Sequence, residues 1–330
     1  MDCSNQLSSL EVALINTLQD GFPIVQYPFH EVADAIGVTE GAVLNCLKNL
    51  LDKNLLTRFG PLFQIEKMGG VFVLAAMSVP EERFDIVSAY VNSLTVIAHN
   101  YRREHSLNMW FVFAAENYSE IVNSAEDIEK MSGCKVILLP KEREYFIGMR
   151  FRVGEDVPVG ATSATDCILN KSIAISEIDR QLIKITQSGL PICQEPYKEV
   201  GREIGLDPID VMKRLQYWVD VGLIRRIGAV PNHYSLGFLG NGMAVFDVDD
   251  DVVDEFGIRL GALDEVSHCY RRPRSLPDWP YNLFVMLHGK DNSAVLDSLS
   301  VIKAILGDRC QNSDILFSSK ILKKTGLRIN

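Results

Sequence analysis

The chain has 330 residues, of which 47% are hydrophobic, and a formal net charge of −10. That length suits about two domains, or more if they are small. It holds no uncharged apolar run of about 18 residues, no basic or apolar segment of a secretory signal at its start, and seven scattered cysteines without metal-ligand or disulfide spacing, so a cytoplasmic protein with no membrane span and no metal site is expected.

In chain order, Leu10, Leu14, Ile15 and Leu18 share one helical face, and Gly21 and Pro23 end that helix. A short helix is predicted over 29–36. Thr39 then caps a third over 40–53, with Val43, Leu44, Leu47, Leu50 and Leu51 as its apolar stripe. The basic stretch LLTRFGPLFQI follows as a β-wing, so the first 66 residues read as a winged helix-turn-helix. Residues 67–150 alternate strand and helix: GVFVLAAMSV, a helix from Pro80 to Val91, LTVIAHNY, NMWFVFAAE, a helix from Asn117 to Met131, and CKVILLP. The order β-α-β-β-α-β is ferredoxin-like. Residues 151–174 are rich in Gly, Ser and Thr and read as a linker.

The rest repeats the first half. At an offset of 168, Gly21, Pro23, Pro28, Ile36 and Gly37 fall on Gly189, Pro191, Pro196, Ile204 and Gly205, and Leu55, Arg58 and Gly60 fall on Leu223, Arg226 and Gly228. A second winged helix-turn-helix is therefore expected over 175–234. Its start signals are Ser176 with Asp179 and then Asp207-Pro208. A second ferredoxin-like unit is expected over 235–330. The fold class is α+β, a tandem duplication of the pair.

One segment occurs in both halves where chemistry would be expected. HNYRREH (His99 to His105) and HCYRRPR (His268 to Arg274) share His-x-Tyr-Arg-Arg, each between the second and third strands of its unit. Three of the six histidines lie in these clusters. As a pair they point to recognition of an anion by Arg, beside a group that titrates near neutral pH. In the second cluster Arg274 stands where the first has His105.

A winged helix followed by a ferredoxin-like unit resembles the Lrp/AsnC family of regulators. HNYRREHSLNMWFV and SHCYRRP…WPYNLFVMLHG resemble more closely the signatures of the sirohaem decarboxylases, which share that architecture and usually come as two small subunits. The chain looks like a natural fusion of the two subunit types. The resemblance implies removal of CO2 from the C12 and C18 acetates of sirohaem, giving 12,18-didecarboxysirohaem for haem d1 or the alternative haem route. The family patterns are His-Asn-Tyr-x-Arg-x-His and His-Cys-Tyr-x-Arg-Pro. Matched onto this chain, they imply His99, His105 and His268 as proton donors, with Tyr101 and Tyr270 beside them. They imply Arg103 and Arg272 on the substrate carboxylates. Arg102 and Arg271 fill the variable position and rank second. Trp110, Trp279 and Tyr281 are candidates to line a macrocycle pocket, and His288 is a weaker one. No cofactor is expected, since the macrocycle can take up the electrons and the iron arrives within sirohaem. The two ferredoxin-like units are expected to pair within one chain as a pseudo-dimer, with further association to a homodimer left open.

Two other readings stay open at this stage. One is a DNA-binding regulator, although the predicted third helices carry no net charge: Lys48 and Lys53 stand against Glu40 and Asp52, and Lys213 and Arg214 against Asp210 and Asp220. The other is a tetrapyrrole-binding protein without turnover.

Overall fold

The structure is a computed structural model that describes residues 7–148, 173–232, 235–237 and 240–324, so most of the expected linker lies outside the described residues. The first helical unit is α1 (Ser9–Asp20), α2 (Pro28–Ile36) and α3 (Glu40–Asp52), followed by β1 (Leu56–Phe63). Ser8 and Glu11 form a capping box on α1, and Thr39 caps α3 by accepting from the Ala42 amide. Gly37 ends α2 in the left-handed region at φ 72°. A 3-10 turn over Ile65–Met68 leads into β2 (Val71–Met77), α4 (Phe84–Ser93), β3 (Ile97–Arg103), β4 (Met109–Ala115), α5 (Tyr118–Ser132), β5 (Val136–Pro140) and β6 (Arg143–Ile147). The second half gives α6 (Glu177–Thr186), α7 (Pro196–Ile204), α8 (Pro208–Asp220) and β7 (Ile224–Pro231). It continues with β8 (Gly240–Val248), α9 (Val253–Gly261), β9 (Val266–Arg271), β10 (Leu283–Gly289), α10 (Asn292–Leu306) and β11 (Cys310–Lys324). Ser176 and Asp179 form the expected capping box, and Asp207-Pro208 opens α8.

Each expected wing is a single strand, and β1 pairs antiparallel with β7 of the other half. At the middle of this ladder Gly60 faces Gly228. A Cβ at Gly228 would stand 2.3 Å from the Leu18 carbonyl oxygen, and one at Gly60 would stand 2.9 Å from Gly189 Cα. Only glycine lets the helix ends approach so closely. Leu14, Leu18, Phe29, Leu47, Phe59, Tyr197, Leu215 and Trp218 therefore belong to one apolar core shared by both helical units. The basic wing residues are drawn into this joint. Arg58 donates to the Gln187 and Pro61 carbonyls at 2.8 and 3.1 Å, and Arg226 donates to Ala229 at 3.2 Å.

The strand orders β5-β2-β4-β3 and β11-β8-β10-β9 are those of two ferredoxin-like sheets. Two features extend them. β6 leaves its own unit and pairs with β9, and β11 pairs with β8 over its first half and with β3 over its second. Only residues 141 and 142 separate β5 from β6, so the ladder of nine strands returns on itself through the chain. The expected pseudo-dimer is thus a closed sandwich in which each half supplies an edge strand to the other. The two ends of the ladder, β5 and β6, are joined through residues 141 and 142. Helices α4 and α5 cover the outer face of the first sheet, and α9 and α10 cover that of the second. The inner faces meet around Trp110 and Trp279, whose rings cross at 5.0 Å.

Candidate functional site

Both clusters are placed by strand alternation, in which successive side chains point to opposite faces. Ile97 packs on the helix-covered face of β3. A bulge lies between Ile97 and His99 in the pairing with β4, so His99, Tyr101 and Arg103 turn inward and Asn100 and Arg102 turn outward. The second half repeats this: the pairing of β9 with β10 slips between Val266 and His268, and His268, Tyr270 and Arg272 turn inward. The sequence reading ended each strand at its cluster. In the structure the strand runs through it, and this separates the adjacent arginines.

The outward pair serves structure. Arg102 lies 4.5 Å over the Phe84 ring and donates to Glu81 at 2.7 Å. Arg271 pairs with Glu142 at 3.1 Å and Asp254 at 3.4 Å. Neither faces the interior that the inward pair faces. Arg103 donates to the carbonyl of Leu316 in β11, and Arg272 donates to that of Leu139 in β5 at 2.6 Å. Each half's inner arginine therefore reaches a strand of the other half, Arg103 the crossing strand β11 and Arg272 the strand β5 that precedes β6. The arginines also stand by their tyrosines, with Arg103 5.9 Å from the Tyr101 ring and Arg272 5.3 Å from that of Tyr270. The rings of His99 and Tyr101 are 6.2 Å apart, and those of His268 and Tyr270 are 5.9 Å apart.

The two triads share one end of the sandwich. Val71, where the chain enters the first sheet from its helical unit, pairs with Ala115, and His99 pairs with Val112 three residues away on the same strand. Gly240 enters the second sheet opposite Gly289, and His268 pairs with Met286 on that strand. Both histidines thus lie toward the helical units. Around the second triad the helical units contribute charge. Lys141 pairs with Glu66 and with Glu144, each at 2.8 Å, and lies 5.6 Å over the Tyr270 ring. Arg225 of β7 reaches Glu144 at 3.6 Å and donates to Gln64 at 3.3 Å.

This setting fixes the protonation states. Burial, with the nearby Arg225 and Lys141 charges, brings the His268 imidazole down to about 4 against the partial opposition of Glu144. Its Nδ1 lies 2.9 Å from the Ser267 hydroxyl. Burial, with Glu144 adding to it, pushes the Tyr270 phenol up, so it keeps its proton at neutral pH. Burial draws the Arg272 guanidinium down to about 10, leaving it charged. A neutral imidazole, a protonated phenol and a guanidinium thus stand in a row along β9 and the residue that follows it. Among the described residues no group of three His, Cys, Asp or Glu is placed to hold a metal.

The other candidates are placed elsewhere. His105 follows the end of β3, and the step from His99 to Arg103 alone covers about 13 Å at the rise of a strand. It lies at the opposite end of its sheet from His99. There its Nδ1 accepts from the Leu107 amide at 2.9 Å, its Nε2 is 3.5 Å from Asp314, and its ring stands 5.8 Å from Trp279. Arg274, its counterpart, bonds Asp247 and Asp250 at 2.6 and 2.7 Å. Trp110, Trp279 and Tyr281, expected as pocket lining, are core: the two indoles have no exposed surface and Tyr281 is 7% exposed. The inner faces of the sheets need apolar bulk where they meet, and these rings provide it. His288 lies on the inner face of β10 opposite Asn241, at the helical-unit end. Sequence reasoning missed Lys141, Glu144, Glu66 and Arg225. Their charges come from three separate stretches, around Glu66, around Lys141 and Glu144, and around Arg225, and no spacing links those stretches.

Comparison with known proteins agrees with this architecture. A family model described as an AsnC-like ligand binding domain matches residues 67–145 and 235–323, and one described as a sirohaem decarboxylase NirDL-like HTH domain matches 11–56 and 179–225. The sirohaem decarboxylase NirH subunit of Paracoccus pantotrophus is 49% identical over 47% of this chain and 97% of its own length. The NirG subunit of Stutzerimonas stutzeri is 44% identical over 44% of this chain and all of its own length. The crystal structure of the sirohaem decarboxylase NirDL with an iron-uroporphyrin III analogue superposes with a TM-score of 0.73 at 24% identity, over 97% of this chain and 94% of that one. Two ferredoxin-like sheets closed on each other, twin inward His-Tyr-Arg rows and these matches over both halves together show that the chain belongs to the sirohaem decarboxylase family.

Proposed function

We propose that this chain is a cytoplasmic carboxy-lyase acting on sirohaem. It removes CO2 from the C12 and C18 acetates to give 12,18-didecarboxysirohaem, a step toward haem d1 or the alternative haem route. The observation that carries the reading is the pair of inward His-x-Tyr-x-Arg rows, His99-Tyr101-Arg103 and His268-Tyr270-Arg272, at the same end of two sheets in one chain. The middle of the sandwich is filled by Trp110 and Trp279, so the macrocycle is held at the end facing the helical units.

In the reaction the bond between the acetate methylene and its carboxylate breaks. CO2 leaves, the electron pair passes into the conjugated macrocycle, and the carbon gains a proton to become a methyl. No oxidant is consumed and no further cofactor is required. Arg103 and Arg272 suit the substrate's carboxylates because a guanidinium meets a carboxylate with two donors. The proton comes from the His-Tyr pair. Tyr270 carries one at neutral pH, whereas the His268 imidazole, lowered to about 4 by burial and its cationic neighbours, does not. A substrate carboxylate brought beside that imidazole raises its affinity for a proton, which makes it an acid only once substrate is bound.

The test is anaerobic incubation with sirohaem followed by mass spectrometry. The expected products have lost one and then two CO2. A macrocycle recovered at unchanged mass would overturn the reading, and would favour binding without turnover if the complex still forms.

A further inference from the structure

The two triads match in residue type, but their surroundings differ. Around His268 and Tyr270 stand three cations, Arg272, Arg225 and Lys141, and two carboxylates, Glu66 and Glu144. Arg103 matches Arg272, but at two other matching positions the first half carries no charge. The repeat places Thr57 where β7 has Arg225, and that hydroxyl donates to the Val230 carbonyl at 3.1 Å. Glu144 pairs in register with Tyr270, whereas Tyr101 pairs with Ile321.

Arg225 is not fully used by the protein. Its Nη2 is shared between Gln64 at 3.3 Å and Glu144 at 3.6 Å, and its Nη1 is buried without a hydrogen-bond partner. The Arg272 Nε is likewise buried without one. Leaving such donors unpaired costs free energy, more so for charged groups. A carboxylate satisfies both demands, since it accepts at two oxygens and its charge balances the excess cation. Arg225 comes from the helical unit, so the site is completed by a strand that the regulator fold would use as a wing.

We infer that Arg225, reaching from the helix-turn-helix unit, binds a peripheral carboxylate of the macrocycle at the second triad. This makes the second half the anchoring half and gives the helical units a role in substrate binding. The inference rests on the tetrapyrrole reading above and names a binding residue within it. The groups that face His268 there are Tyr270 and Arg272 on its own sheet, Lys141 and Glu144 on the crossing segment, Glu66 on the turn before β2, and Arg225 on β7. Arg225 lies close enough for its charge to lower the imidazole's proton affinity, which agrees with the placement.

The experiment titrates the full chain with iron-uroporphyrin III and follows its visible absorbance, so no turnover is needed. Wild type, Arg225→Gln, Arg225→Lys and the control Arg58→Gln are compared, each with its melting temperature. Arg58 is a wing arginine of the other half whose bonds are internal. The expected result is a dissociation constant about ten- to a hundredfold higher in Arg225→Gln. Arg225→Lys recovers part of the loss, and Arg58→Gln binds as wild type does. The His268 imidazole, followed by NMR, should also titrate at higher pH in Arg225→Gln. Equal affinity in Arg225→Gln and wild type, with only a lower melting temperature, would make Arg225 a structural tie and overturn the inference alone. If wild type binds no macrocycle, the functional reading fails first and takes the inference with it.

Discussion

His268 shows how one side chain's setting decides its part. With an affinity for protons at about 4 instead of the usual 6.5, it is neutral in the folded protein at pH 7. Below pH 6.5 the unfolded chain takes up a proton that the folded chain refuses until about pH 4. Stability supplied by the neutral ring is therefore complete above pH 6.5 and falls as the pH drops through that window, by roughly 3 kcal/mol at most. His268→Gln should flatten that part of an acid-denaturation curve, and an unchanged slope between pH 6.5 and 4 would show that the ring is not held neutral. In catalysis, His99→Ala and His268→Ala should still bind the macrocycle but slow one or both losses of CO2 by about 10²–10⁴-fold. Single-turnover mass spectrometry reads each loss separately, and undiminished rates in both variants would remove the histidines from the mechanism. Arg102 and Arg271 should tolerate Gln with little change in macrocycle affinity, because each already faces a carboxylate of the protein.

At the level of elements, the duplication, the helical units and both βαββαβ orders could be read from the sequence, because apolar spacing and caps are local signals. Three features could not. A strand predicted to end at its cluster hides the alternation that separates Arg102 from Arg103. The bulge that turns His99 inward lies in the pairing with a strand ten residues later, and no single stretch encodes it. β6 is REYFI, five residues with two charges, and its apolar positions make sense only against Cys269 and α9 of the other half. The wings themselves were legible, but not their pairing, since the partner of β1 is 168 residues away in the repeat. The Gly60-Gly228 contact offers a direct check on this joint. Gly228→Ala places a methyl 2.3 Å from a backbone carbonyl in the closed core and should cost about 1–3 kcal/mol. A melting temperature equal to that of wild type would mean that the two helical units do not meet as described.

At the scale of the whole molecule, the halves depend on each other. β6 completes the second sheet, the end of β11 completes the first, and Arg103 and Arg272 reach across to β11 and β5. If the chain is cut between residues 160 and 161 and the two parts are made together, they should co-purify one to one. Either part made alone should aggregate or pair with itself. Two parts that each run as stable monomers would contradict the shared ladder. Covalent connection also changes the evolutionary arithmetic. Separate subunits must keep enough mutual affinity to meet at cellular concentration, whereas a tethered partner is present at an effective concentration in the millimolar range. A substitution that would dissociate free subunits therefore survives in the fusion, and like halves have little opportunity to combine. Selection can then act on the halves separately, so that one corner has a histidine where the other has an arginine, and one wing a threonine where the other has a cation.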